Sequence, residues 1–432
     1  MKKRIKKLFP IIAFALPVAT VLITISPLGR LLLKPIECQL KRWQLPASVK
    51  TLKPDVSTKK PTAPALVATK KPPFPCCEGD TSCLDKQIWG ENGQQSDRKI
   101  LLNSIDNSLQ YLQTDGAKKT YDKYKVPGIS RELIINSLQR FRQLLLETKS
   151  AEELNKAVAE EFVFYQSVGN DSKGKVLFTA YFEPLYIASR QQTPEYRYPI
   201  YALPPDLKDW QKPHPTRLDL EGADGLQGQT GKLKGLELFW FKSRLEPYMM
   251  QIQGSAKLRL LDGTQTTVGF AGNVAHNYRS IGKALIDDGE LPSSGVTMPT
   301  ILEYFEKDPK KLDVYIPRDP SFVFFQENKG APAQGSIQVG LSPERSIATD
   351  KALMPPGALA LIRGHFPFAT DNGEIKHRTV SRYVLDQDAG GAIKGPGRVD
   401  YFLGTGKIAG DRAGVTVTNG QLYYLLLKNK SS

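Results

Sequence analysis

Histidine and cysteine are scarce in this chain, with four of each among 432 residues. His214, His276, His365 and His377 stand in separate segments. No His-x-x-x-His or His-Glu-x-x-His pattern pairs them, so no metal site is expected. Cys38, Cys76, Cys77 and Cys83 form no Cys-x-x-Cys pair and have no histidine nearby, which argues against zinc. A disulfide loop within residues 76–83 would suit an oxidising compartment, and spacing alone does not say which cysteines pair. A Gly-x-Ser-x-Gly elbow is also lacking, because Gln253-Gly254-Ser255-Ala256 has no second glycine. So is a Gly-x-x-x-x-Gly-Lys-Ser/Thr phosphate loop. No cofactor is expected. By elimination, carboxylates remain as the reactive groups.

A basic face on the body of the protein is lacking too. The net charge is +15, but residues 1–75 hold 15 Lys/Arg against two Asp/Glu, which leaves +2 for residues 76–432. Nucleic-acid binding needs its basic residues on the folded domain, so it is not expected. The excess instead lies beside a segment without charge, residues 8–28, preceded by Met1-Lys-Lys-Arg-Ile-Lys-Lys. That segment is long enough to cross a bilayer, and the flanking bases favour a cytoplasmic N-terminus. A retained anchor and a cleaved signal both fit; in either case the remainder is exported. Residues 1–43 are therefore expected to form the signal or membrane anchor. Residues 44–95 read as a Pro/Lys-rich linker carrying the cysteine cluster, too poor in apolar side chains to bury much.

Residues 97–167 read as helical. Leu101, Ile105, Leu109 and Leu112 recur at helical spacing, as do Leu133, Ile134, Leu138, Phe141, Leu144 and Leu145. Ser150-Ala-Glu-Glu153 has the form of a capping box. From Val176 the pattern changes to short apolar runs cut by Gly, Pro and Asp. Strands are expected at residues 176–184, 236–240, 250–255, 257–261, 321–325, 358–362 and 421–427. Asp262-Gly263 signals a hairpin, and residues 280–286 and 297–304 suggest short helices. The composition is that of a mainly β protein with an N-terminal helical part.

The densest concentration of chemistry is Val384-Leu-Asp386-Gln-Asp388-Ala-Gly390-Gly391-Ala-Ile393-Lys394-Gly395-Pro-Gly-Arg398-Val-Asp400-Tyr-Phe402. Glycines let a backbone approach a ligand closely. Carboxylates suit the cleavage of glycosidic bonds, where one must be protonated near neutral pH to supply the leaving oxygen with a proton. An apolar niche raises a carboxyl pKa in that direction, and Asp400 lies among Val399, Tyr401 and Phe402.

Five segments in order resemble the membrane-bound lytic murein transglycosylase A family, whose C-terminal part is the three-aspartate domain. Phe178-Thr179-Ala180-Tyr181-Phe182-Glu183-Pro184 is similar to a Thr-Gly-Tyr-aromatic-x-Pro segment, with Ala180 for glycine. Gln251-Ile-Gln253-Gly254-Ser255-Ala256 is similar to a Gln-Gly-Ser-Gly segment, with Ala256 for glycine. The first aspartate block resembles residues 346–357, which contain Asp350; Asp388–Gly395 holds the second and Arg398-Val-Asp400 the third. The resemblance spans residues 170–428. It implies a double-psi β-barrel interrupted by an inserted smaller β-barrel domain. The first barrel part, with the helical segment, would run over 96–186, the insertion over 187–318 and the second barrel part over 319–432.

The resemblance also implies an activity: cleavage of the β-1,4 bond of peptidoglycan glycan strands with formation of 1,6-anhydro-muramic acid ends. A hydrolase on the same substrate and a non-catalytic wall-binding protein are the alternatives. Asp400 would be the sole acid/base and Asp388 a supporting carboxylate. Thr179 would hydrogen-bond substrate in a groove that Tyr181, Gln253, Gly254 and Ser255 help to line, although core packing is an equal reading for Tyr181. Gly390, Gly391, Lys394 and Gly395 would shape its floor, and Asp350 would tie barrel loops together. Asp386 and Asp411 read as solvated loop charges. The implied location is the extracytoplasmic side of the cell envelope, with the N-terminal segment in or cleaved at the membrane; protein partners are not specified.

Overall fold

The computed structural model describes residues 64–69, 81–91, 93–124, 126–370 and 372–428. The proposed anchor and most of the expected linker lie outside them. So do Cys38, Cys76 and Cys77; Cys83 is buried and disulfide-bonded.

The helical part comprises α1 (Arg98–Leu112), α2 (Asp115–Asp122), α3 (Arg131–Glu147) and α4 (Ala151–Glu161). Each places one apolar stripe on the core. In α3 the buried residues are Ile134, Ser137, Leu138, Phe141, Leu144 and Leu145. Ser130 caps α3 by accepting from the Leu133 amide. Ser150 does the same for α4 at Glu153, but the Glu153 carboxylate accepts from the Lys149 amide and not from the cap residue. The box is therefore half formed.

Two expectations change in this region. Helix gives way to strand at residue 162, where Phe162, Phe164 and Ser167 are buried. The expected linker also contributes to the fold. β1 (Leu66–Ala68) pairs antiparallel with β2 (Phe162–Ser167), burying Leu66. Leu84 and Ile88 join the main core. One leucine at 66 and two spaced apolar residues at 84 and 88 are too sparse to give a periodic signal.

Six strands close a barrel in the order β14 (Val417–Leu427), β11 (Leu359–Ala369), β12 (Ile375–Asp388), β10 (Ser346–Ala348), β13 (Arg398–Thr405) and β3 (Val176–Glu183), with β3 returning to β14. β10–β12 and β13–β3 run parallel and the other contacts antiparallel. β14 serves twice: residues 417–420 pair with β3, and 423–427 pair with β2. Its buried run Leu422–Leu426 thus joins the barrel to the helical part, where α3 also packs.

Residues between β3 and β10 build two smaller sheets, whose strands share two apolar clusters separate from the main core. One sheet has the order β4 (Leu185–Ala188), β7 (Ser255–Leu260), β8 (Gln265–Asn273) and β9 (Val323–Glu327); the other pairs β5 (Tyr198–Tyr201) with β6 (Glu237–Phe241). The helices here are α5 (Arg217–Glu221), α6 (Leu245–Gln253), α7 (Ile281–Asp287), α8 (Met298–Lys307) and α9 (Leu312–Tyr315), and α10 (Lys407–Gly414) follows β13. The Asp262-Gly263 hairpin joins β7 to β8. The strand expected over 250–255 is instead the last turn of α6, ended by Gly254 in the left-handed conformation (φ +82°). Residues 245–250 bury Pro247, Tyr248, Met249 and Met250 on consecutive positions, and so continuous an apolar run does not separate helix from strand.

Candidate active site

The site is a transverse row on one face of the barrel wall. Asp400 on β13 sits in register with Thr179 on β3 and with Ala348 on β10. Ala348 is in turn in register with Asp388, the last residue of β12. The two aspartates therefore flank Ala348, two strand spacings or about 10 Å apart along the row. Tyr181, two residues beyond Thr179, lies on the same face because side chains alternate along a strand. It reaches across the row to Asp388.

The two carboxyls are held differently. Asp400 Oδ1 accepts from Thr179 Oγ1 at 2.7 Å, and no donor among the described residues contacts its Oδ2. Burial pushes its pKa up to about 6, with the neighbouring Asp388 adding to the rise and Thr179 and Arg398 opposing it. Asp388 is enclosed by donors. Its Oδ1 accepts from the backbone amides of Ser336 and Ala389, both at 2.8 Å, and its Oδ2 from the Tyr181 hydroxyl at 2.7 Å. Burial raises its pKa as well, and all three donors oppose that rise. A carboxylate facing only donors is suited to the ionised form. A single wall thus presents one carboxyl able to carry a proton and one arranged as an acceptor.

Supporting contacts explain why these side chains meet. Asp350 accepts from the Gly395 amide at 2.8 Å and from the Ala352 amide at 3.1 Å, which ties the loop after β10 to the glycine loop. Gly395 adopts φ +83°, a conformation that favours glycine. Gln387 points away from the row and fixes β12 to α1. Its Nε2 donates to the Ser104 carbonyl and Ser108 Oγ, and its Oε1 accepts from Ser104 and Ser346 hydroxyls.

The remaining sequence candidates divide. Tyr181 packs at 5.2 Å against the Phe402 ring, and its hydroxyl donates to Asp388 Oδ2. Thr179 turns its hydroxyl to Asp400. Gln253 Oε1 accepts from the Phe182 amide at 3.0 Å, holding α6 to β3. Gly254 caps that helix and Ser255 is buried at the start of β7. Gly390 is confined, since a Cβ there would meet Ile393 Cγ1 at 2.8 Å, whereas Gly391 has open space. Lys394 is exposed, and no hydrogen bond or ion pair joins it to either aspartate.

Asp386 overturns its reading as a solvated charge. It is fully buried, accepts from Thr349 (2.7 Å) and Tyr424 (2.6 Å), and pairs with Lys351. Its donors lie on distant segments, so the local glycine-rich context misleads. Asp411 is exposed and pairs with Lys407 one helical turn away, as a solvated charge does. Sequence reasoning also passed over Ser336, Arg398, Ser104 and Ser108. A signal existed for the last two: serines four apart on the apolar stripe of α1, where leucine is otherwise found.

Fold and site together define a barrel protein with a carboxyl pair differentiated for acid/base chemistry. Comparison places it more narrowly. Residues 177–326 match the profile described as the MltA specific insert domain, and residues 345–426 match the 3D domain. The chain is 32% identical over 263 residues to the membrane-bound lytic murein transglycosylase A of Escherichia coli K12, covering 60% of this chain and 68% of that one. It is 32% identical over 264 residues to the protein of that name from Vibrio cholerae, with the same coverage. Among solved structures, E. coli MltA with bound chitohexaose superposes with a TM-score of 0.63 at 26% identity, covering 86% of this chain and 97% of that one. A membrane-bound lytic murein transglycosylase from Agrobacterium tumefaciens gives 0.61 at 26%, covering 79% and 95%. The chain belongs to the membrane-bound lytic murein transglycosylase A family.

Proposed function

We propose that this protein is a lytic transglycosylase of the cell envelope that cleaves the β-1,4 bond between N-acetylmuramic acid and N-acetylglucosamine. Family membership supports the reaction and its substrate. The observation that carries the residue assignment is Asp400, a carboxyl raised to about 6 with one oxygen free of donors among the described residues. In its protonated form it donates to the glycosidic oxygen as the C1–O bond breaks. The muramic acid 6-hydroxyl then attacks C1, and its proton passes to Asp400, which restores the acid. No water is consumed, and the product ends in a 1,6-anhydro ring. The ionised Asp388 opposes the positive charge that develops on the sugar.

A hydrolase would require a second carboxylate free to activate water. Asp388 already receives three protein donors, which argues against that use. The double-psi topology of the barrel is part of the same reading, as is an inserted β-domain over about 187–318 that would wall one side of a glycan groove. So is the N-terminal segment as membrane tether, with residues 8–28 as its span. The test is a digest of purified sacculi with the products analysed by mass. Anhydro-ended fragments are expected. Reducing ends would select a hydrolase, and binding without release of soluble fragments would select a wall-binding protein.

A further inference from the structure

Arg398 begins β13 and lies two residues before Asp400, on the same face of the strand. Its guanidinium is partly buried, and burial disfavours its charge while Asp400 favours it. No ion pair joins the two. Instead, Arg398 Nη2 donates to Thr179 Oγ1 at 3.3 Å, and the Thr179 hydroxyl donates to Asp400 Oδ1 at 2.7 Å. Arg398 Nη1 is buried with no acceptor among the described residues. A hydroxyl whose oxygen already accepts from a cation directs its single hydrogen elsewhere.

Building on the proposed function, we propose that Arg398 is a positioning residue that acts through Thr179. The guanidinium occupies the threonine oxygen, the hydroxyl hydrogen is thereby fixed on Asp400 Oδ1, and Oδ2 is left as the one oxygen that carries and exchanges the catalytic proton. The threonine also keeps the cation one hydroxyl away from the acid. A direct arginine–carboxylate contact would hold the carboxyl ionised near neutral pH, and the reaction needs it protonated. The groups facing Asp400 are few. Among the described residues they are Arg398 from its own strand, Thr179 and Tyr181 from β3, and Asp388 from β12; Ala348, its neighbour on β10, and Val417 on β14, which pairs with Thr179, carry no charge.

The experiment is the pH dependence of anhydro-product release from purified sacculi by the full chain carrying R398K, R398Q, T179V or R398K/T179V, with folding checked by circular dichroism. Activity should fall as pH rises through the Asp400 pKa, because the acid form starts the reaction. R398Q removes a charge that favours ionisation, so the falling limb should move up by roughly half a unit to one unit. R398K keeps the charge but not the fork, so the limb should stay while the rate drops about tenfold. R398K/T179V should be no slower than T179V, because both changes break one relay. An unmoved limb in folded R398Q, a wild-type rate in R398K, or multiplying losses in the double variant would each overturn the inference. If R398Q does not fold, the R398K and T179V comparison decides alone. The wild-type product separates this test from the previous one: reducing ends would defeat the proposed function, whereas anhydro ends with an unmoved R398Q limb would defeat only the relay.

Discussion

Asp400 contributes unfavourably to stability in the state where it is ionised. Its folded pKa of about 6 lies above the ordinary carboxyl value. The unfavourable contribution is therefore absent below pH 4, grows between pH 4 and 6, and is constant above that. Asp400→Asn should accordingly be more stable than wild type by about 1–2 kcal/mol at pH 7.5, with the difference vanishing near pH 4. Thermal unfolding of both proteins across pH measures this, and an equal offset at all pH values would contradict the raised pKa. Asp386 makes the opposite case. It is buried, paired with Lys351 and hydrogen-bonded to Thr349 and Tyr424, so Asp386→Ala should lose about 3 kcal/mol in urea unfolding. A loss below about 1 kcal/mol would return it to the class of solvated charges.

Among the elements, the long strands and the amphipathic helices were legible because each repeats its period several times. The α1 stripe Leu101, Ile105 and Leu112 and the α3 stripe Ile134, Leu138, Phe141 and Leu145 are such cases. What failed were short or uniformly apolar stretches. Met250–Ser255 gave no period, and only Gly254, in the left-handed conformation, marks where helix becomes strand. Gly254→Ala should destabilise by about 1 kcal/mol from backbone strain alone, because a Cβ there meets nothing within 4 Å. Urea unfolding checks this; a loss of several kcal/mol would mean that the glycine is packed. Hydrogen bonds such as those of Gln387 to Ser104 and Ser108 join residues nearly 300 positions apart, and no local pattern encodes their partners.

For the molecule as a whole, the sequence separates a basic N-terminal part from a near-neutral body, and the five ordered segments were enough to indicate the family. They did not show that residues 81–97 lock the barrel. Asp85 and Asp97 hold the fully buried Arg345 at the entry to β10, and Asp85 also faces Arg382. Asp85→Ala leaves two buried guanidinium groups short of a partner and should lose about 3 kcal/mol or more. Unfolding midpoints test this, and a neutral result would show that segment to be dispensable. Alternating strands report only which face is buried, so the meeting of Thr179, Asp400 and Asp388 in one row depends on barrel register that no single segment contains.

The most direct test of the central claim is the turnover of Asp400→Asn on purified sacculi beside wild type, with folding verified. A loss of at least about a thousandfold in 1,6-anhydro products is expected, because the proposed proton carrier is gone. Release of anhydro products within about tenfold of wild type would show that another group carries the proton.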